Sequence, residues 1–181
     1  ATPEDHAVLE KKGFLLVDSG ATYMDGTTDI TRTYPLGPLT EDEKRFYTWT
    51  LQSHIDLAKA VWLDYCECKM IDTIAREPLW RHLINYRCGT GHSVSFVGNV
   101  HEGPHALNSR NTTRMRPGMV VTDEPGVYET DLVGIRIENE LVCVHKADNQ
   151  YGTFLGFEPL MFVPIATSPI LPGVLDKDCL L

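Results

Sequence analysis

At 181 residues, 43% hydrophobic and 23% charged, the chain has the composition of one globular domain with a core of its own. Its 25 acidic residues outnumber 16 basic ones, and the net charge of −9 speaks against nucleic acid or an anionic membrane as partner, since phosphates are held by clustered Lys and Arg. No apolar run approaches the roughly 18 residues of a membrane span. The 5 cysteines (Cys66, Cys68, Cys88, Cys143, Cys179) form no framework, which points to reduced thiols and a cytoplasmic setting.

Phe14-Leu15-Leu16-Val17 is an apolar run of strand length ending at Asp18. Asp25-Gly26 is a hairpin signal, and Thr27 to Thr33, rich in β-branched residues, is the returning strand. A turn centred on 25 and 26 sets Asp29 opposite Thr22; one centred on 23 and 24 sets it opposite Asp18. Side chains alternate with period two, so either register puts Asp18 and Asp29 on one face. Two carboxylates there repel unless a cation lies between them.

Pro35 and Pro38 break the chain, and Thr40 with Glu43 is a capping box opening a long helix. Its buried stripe is Tyr47, Leu51, Ile55, Ala58 and Val61/Trp62. His54 lies next to the stripe and is read as packed or solvated, the commoner fate of a lone helical histidine. A second, broken helix is predicted over Met70 to Ile84, with Pro78 starting or kinking its later half. Ile71, Ile74, Ala75, Leu79 and Leu83 are its inward set, with Trp80 against the same core.

Gly89-Thr90-Gly91-His92 and Val100-His101-Glu102-Gly103-Pro104 then supply two histidines from a glycine-punctuated stretch. His92, between Gly91 and Ser93, belongs to a strand or tight loop where the backbone comes close to whatever the imidazole touches. Met119 to Asp123 is a strand that Glu124-Pro125 ends, because Pro125 cannot donate to a ladder. A strand over Gly134 to Val144 sets Ile135 and Ile137 on one face and Arg136 and Glu138 on the other, where Arg136 is placed to orient carboxylates. Phe157 to Pro164 is the last predicted strand.

Asp18, Asp29, His92, Glu124 and Glu138 thus form an oxygen-rich donor set with one nitrogen, all on strands or strand ends. Mn²⁺ suits such a set, and the imidazole admits Zn²⁺, Co²⁺ or Fe²⁺. Four carboxylates call for about two divalent cations, hence a dinuclear site able to activate water and polarise a carbonyl.

The strings LVDSGATYMDGTTDITRT, GTGH, VHEGP, TDEPGVY and GIRIEN occur in that order between Phe14 and Pro164. Together they resemble the pita-bread metallopeptidases, and within them the aminopeptidase P (Xaa-Pro aminopeptidase) family. The resemblance implies an α+β fold, a curved and mainly antiparallel sheet with helices on its outer face. It also implies hydrolysis of the N-terminal Xaa-Pro bond, with peptides bearing proline at the second position as substrates. By motif, Asp18 resembles the carboxylate chelating one metal, Asp29 and Glu138 the two bridging carboxylates, and His92 and Glu124 the remaining ligands. His101 matches the histidine that binds the substrate carbonyl and the tetrahedral intermediate, Glu124 the metal-bound general base, and Arg136 an arginine that steadies the bridging acids. Glu102 receives no separate role.

Two features depart from the pattern. Cys88 stands where animal members often have a histidine, and Ser93 and Ser95 replace glycines. The resemblance further implies that residues 1–181 are a partial catalytic domain. An upstream segment with another substrate-binding histidine, and an N-terminal domain, would precede Ala1, and a homodimer of the full-length protein is left open. The alternatives are a prolidase or methionine aminopeptidase relative, against which VHEGP argues, and a non-catalytic peptide-binding module of the same fold, against which the complete ligand set argues.

Overall fold

The computed structural model describes residues 2–175. Its described elements, in chain order, are β1 (Phe14–Tyr23), β2 (Gly26–Pro35), α1 (Glu41–Ala58), β3 (Val61–Leu63), α2 (Cys68–Trp80), β4 (Gly91–His92), β5 (Ala106–Leu107), β6 (Val120–Asp123), β7 (Gly126–Glu129), β8 (Val133–Arg136), β9 (Asn139–Asn149) and β10 (Gly152–Pro159). Every pairing among them is antiparallel. A four-stranded sheet in the order β3-β10-β9-β6 is joined by three two-stranded ribbons, β1-β2, β4-β5 and β7-β8. The whole is a curled antiparallel sheet with two helices packed on it.

The β1-β2 ribbon turns at Met24-Asp25, one residue before the expected Asp25-Gly26. Its register falls between the two anticipated ones, pairing Asp18 with Thr31 and Gly20 with Asp29. Parity is unchanged, so Asp18 and Asp29 share a face, and Thr31 joins them. Gly20 is needed opposite Asp29, because a Cβ there would lie 2.5 Å from the Thr28 carbonyl oxygen.

The predicted capping box opens α1: the Thr40 hydroxyl accepts from the Glu43 N–H at 3.2 Å, and Glu43 Oε2 accepts from the Thr40 N–H at 2.7 Å. Tyr47, Leu51 and Leu57 are buried beneath it. The stripe stops at Ala58, however. Val61 and Trp62 belong to the short strand β3, where alternation exposes Val61 and packs Trp62 against Phe157, the rings tilted with centroids 4.6 Å apart. The helix α2 is also shorter than predicted and is not broken. Pro78 sits in its last turn without interrupting it, and the helix closes at Trp80. Leu83 takes a left-handed φ of 59°, and the Ile84 N–H bonds the Leu79 carbonyl at 3.1 Å, a Schellman-type closure with leucine where glycine is usual. That turn points Leu83 into solvent and leaves Trp80 partly exposed, so neither joins the core.

The predicted strand from Gly134 to Val144 is two strands, interrupted at Ile137-Glu138. There the Glu138 N–H leaves the ladder to bond the Thr31 carbonyl at 3.1 Å, and Arg32 donates to the Glu138 carbonyl at 2.5 Å. β10 runs earlier than predicted, because the hairpin with β9 pairs Gly152 with Asn149 and ends at Pro159; Phe162 lies beyond it, exposed. The largest core cluster joins Leu57 of α1 and Ile71 and Ala75 of α2 to Val121, Leu141, Cys143, Leu155 and Phe157 of the sheet. Cys66, Cys68, Cys88 and Cys143 are free thiols, and Cys179 lies outside the described residues. Among the described residues no helix is long and apolar enough to cross a membrane.

Candidate metal centre

Gly91 is the pivot of the site. A Cβ there would fall 1.8 Å from the Thr122 carbonyl oxygen, so only glycine lets β4 lie against β6. The contact fixes the next residue. The His92 N–H donates to Thr122 Oγ1 at 2.9 Å, and that hydroxyl donates to Glu124 Oε1 at 2.9 Å. His92 Nδ1 lies 3.1 Å from the Ser93 carbonyl, so it carries the proton and Nε2 turns its lone pair into the site. Nε2 is 3.4 Å from Asp29 Oδ2 and 3.2 Å from Glu124 Oε1.

Glu138 closes the other side. It is buried, and its Oε2 accepts the Thr31 hydroxyl at 2.5 Å. Burial first, then the negative charge of Glu124, pushes its carboxyl up to about 8. Burial also raises Glu124, against the hydrogen bond from Thr122, and raises Glu140 to about 7. Glu140 Oε1 accepts the Asp29 N–H at 2.7 Å. Burial lowers the His92 imidazole, but hydrogen bonds to Asp29 and Ser93 and the charge of Glu124 outweigh it and leave it raised. Ligand atoms of Asp29, His92 and Glu138 lie within 4.8 Å of one another.

Arg136 links the remaining acids. Its Nη2 donates to Asp18 Oδ2, Nη1 to the Tyr128 hydroxyl at 2.7 Å and Nε to Thr31 Oγ1 at 3.0 Å; Nε also lies 3.8 Å from Glu124 Oε2. Of the five predicted ligands, Asp29, His92 and Glu138 therefore form one group, with Glu124 in contact with His92. Asp18 is on the same ribbon face, but its half-exposed carboxylate turns to Arg136. The His101 ring stands perpendicular to that of His92, centroids 4.0 Å apart. With Asp18 and Asp29 it lines a cavity of about 450 Å³.

Thr31, Thr122, Tyr128 and Glu140 went unnoticed in the sequence. Parity would have flagged two of them, since Thr31 follows Asp29 and Glu140 follows Glu138 by two residues on a strand. Of the departures, Ser93 is buried and bridges to Val121, Ser95 donates to the Asn99 carbonyl, and Cys88 is exposed. The donor chemistry fits a divalent cation. Three carboxylates raised by burial crowd an imidazole whose other nitrogen is already committed, an oxygen-rich set that positive charge would relieve.

Fold and site together define a metal-dependent peptidase scaffold, and the chain belongs to metallopeptidase family M24, whose profile matches residues 1–145. Within that family it is similar to Xaa-Pro aminopeptidases. It is 44% identical to a probable Xaa-Pro aminopeptidase P of Laccaria bicolor, covering 97% of this chain and 28% of that protein. It is also 44% identical to aminopeptidase P2 of Arabidopsis thaliana, over 93% of this chain and 24% of the relative. The chain thus spans about a quarter of the length of the curated relatives it matches. Among solved structures, the X-prolyl aminopeptidase of Caenorhabditis elegans, described as a cytosolic enzyme with a di-nuclear active site, superposes with a TM-score of 0.86 at 38% identity. That match covers 92% of this chain and 27% of the other. The prolidase of Pyrococcus furiosus follows with a TM-score of 0.71 at 29% identity, over 84% of this chain and 42% of that one. The fold is the pita-bread fold.

Proposed function

We propose that this chain carries the dinuclear centre of an aminopeptidase that removes the residue preceding an N-terminal Xaa-Pro bond. The observation that carries the reading is the convergence of Asp29, His92 and Glu138 from three separate parts of the chain, with Glu124 against His92. Asp18, Asp29, His92, Glu124 and Glu138 would hold the two ions. Bound there, two divalent ions would supply Lewis acidity and lower the pKa of an attacking water.

The chain's own residues do the rest. Glu124 Oε1 accepts the Thr122 hydroxyl, which leaves Oε2 to take the proton of that water. His101, beside His92 on the wall shared with Asp18 and Asp29, donates to the substrate carbonyl as charge builds on its oxygen. Arg136 steadies Asp18 and, through Thr31, Glu138.

Mn²⁺ is the ion of choice in this reading, with Zn²⁺ or Co²⁺ as alternatives, and the setting is cytoplasmic, as described for the Caenorhabditis elegans enzyme. Residues 1–181 are one catalytic metallopeptidase domain in part, its substrate pocket completed by the portion of the relatives that this chain does not span. Prolidase is the second reading, supported by the Pyrococcus furiosus match. Metal analysis after dialysis against Mn²⁺ tests the centre, with two ions per chain expected. Turnover of an Xaa-Pro tripeptide and an Xaa-Pro dipeptide separates the two enzymes. Hydrolysis of the dipeptide alone would favour prolidase, and failure to retain metal would sink both.

A further inference from the structure

His54 lies outside the metal group, on α1, behind the strands that carry two of its acids. It is buried, and both ring nitrogens are committed. Nδ1 is 3.3 Å from the main-chain carbonyl of Asp123 and 3.0 Å from its Oδ2; Nε2 is 3.3 Å from Asn139 Nδ2. The orientation of Asn139 is fixed independently, because its Oδ1 accepts Arg32 Nη2 at 2.8 Å. Nδ2 therefore faces His54 as a donor, Nε2 accepts, and Nδ1 carries the proton toward Asp123. Asp123 is fully buried, and among the described residues no hydrogen-bond partner other than the His54 ring is set against its carboxylate oxygens. The imidazole is the polar group the structure sets against them.

Asp123 and Asn139 are direct register partners at the end of the β6-β9 pair. The next residue after Asp123 is Glu124, and the one before Asn139 is Glu138. Within the strands the neighbours Thr122 of β6 and Glu140 of β9 point to the opposite side, where Thr122 donates to Glu124 and Glu140 accepts the Asp29 N–H, so His54 grips the back of the face that carries the metal group. Arg32 extends the same linkage, donating to the carbonyls of Thr31 at 2.8 Å and Glu138 at 2.5 Å.

We propose that His54 is a positioning residue of the metal centre: one imidazole on α1 ties the ends of β6 and β9 together behind Glu124 and Glu138 and so sets the spacing of their carboxylates. The inference rests on the reading that these glutamates hold metal. Its test is Mn²⁺ titration calorimetry on the 181-residue chain, together with the visible spectrum of the Co²⁺-loaded protein, which reports ligand geometry. His54→Leu is expected to weaken Mn²⁺ binding about tenfold or more, the usual effect of losing a partner just outside the ligands, and to alter the Co²⁺ bands. His54→Asn, which keeps a donor near the position of Nδ1, should recover most of the affinity.

Leu51→Ala, a core truncation on the same helix, should lower Tm and leave affinity and spectrum alone. Wild-type affinity in His54→Leu would overturn the inference, and so would an equal loss in Leu51→Ala, which would reduce His54 to packing. Where His54→Leu does not fold, Asn139→Ala carries the same expectation, and wild-type affinity there overturns it equally. If the unmodified chain binds no Mn²⁺, the proposed function itself fails and takes this inference with it; a metal-binding chain indifferent to His54 defeats only the inference.

Discussion

Glu138 shows in one side chain why the site calls for a cation. Its carboxyl, pushed up to about 8 by burial and by Glu124, is held far above the range it has in the unfolded chain. A folded pKa raised in this way contributes stability that is full below the unfolded value and is lost as pH rises through the folded one. Glu140, raised to about 7, and the raised Glu124 and His92 act in the same direction. The metal-free protein should therefore melt highest near about pH 5 and lose Tm steadily towards about pH 8. Glu138→Gln, which needs no proton to stay neutral, should flatten that fall when melting is followed across pH in EDTA, and an unchanged slope would absolve Glu138. Metal should reverse the penalty. At Mn²⁺ about 100-fold above Kd, mass action adds about 2.7 kcal/mol, or a rise of about 5–10 °C for a domain of this size. Asp29→Ala should abolish that rise, and a variant that keeps it would count against a bridging role.

Among the elements, β4 is only two residues long, and its Gly91 leaves no room for a side chain. Gly91→Ala drives a Cβ into the Thr122 carbonyl, so β4 and β6 must part; a loss of about 3 kcal/mol in urea unfolding is expected. Because the same contact aims His92 and, through Thr122, Glu124, Mn²⁺ affinity should fall with it. Thr40→Ala is the contrasting case. Removing the capping hydroxyl of α1 should cost about 1 kcal/mol and leave Mn²⁺ binding intact, since the cap lies at an exposed helix end remote from the ligand group. Equal loss of affinity in both variants would mean that the site responds to global stability and not to the β4 contact.

For the whole molecule, the open quantity is turnover. In the proposed function the metals and His101 would supply charge stabilisation, but peptide hydrolysis also needs the carbonyl held in place, and a misplacement of about 1 Å can cost about 100-fold. The relatives are about four times as long as this chain. A version extended by the segment that precedes this region in the relatives should raise kcat/KM on an Xaa-Pro peptide far more than it changes Mn²⁺ affinity. Equal turnover by the two would show that the pocket is already complete within these residues.

The meeting of Asp29, His92 and Glu138, and the ribbon face that Asp18 and Asp29 share, were legible in the linear order of residues, because strand parity and glycine punctuation are local rules. Strand parity put Asp18 and Asp29 on one side whatever the turn, and the glycines around His92 announced a close backbone approach. The capping box opened α1 at the expected residue. Other features depend on contacts between distant segments, and no local rule carries them. The break at Ile137-Glu138 exists because Thr31 and Arg32 of β2 capture the Glu138 backbone, 106 residues away from Arg32 along the chain. The end of α2 was set by the turn at Leu83, not by Pro78. His54 looked like an ordinary packed histidine until packing placed it between Asp123 and Asn139. Residue types and their period determined which groups could meet at the site; only the tertiary structure decided which of them do and how they are held, because burial and long-range hydrogen bonds set the orientation and charge of each one.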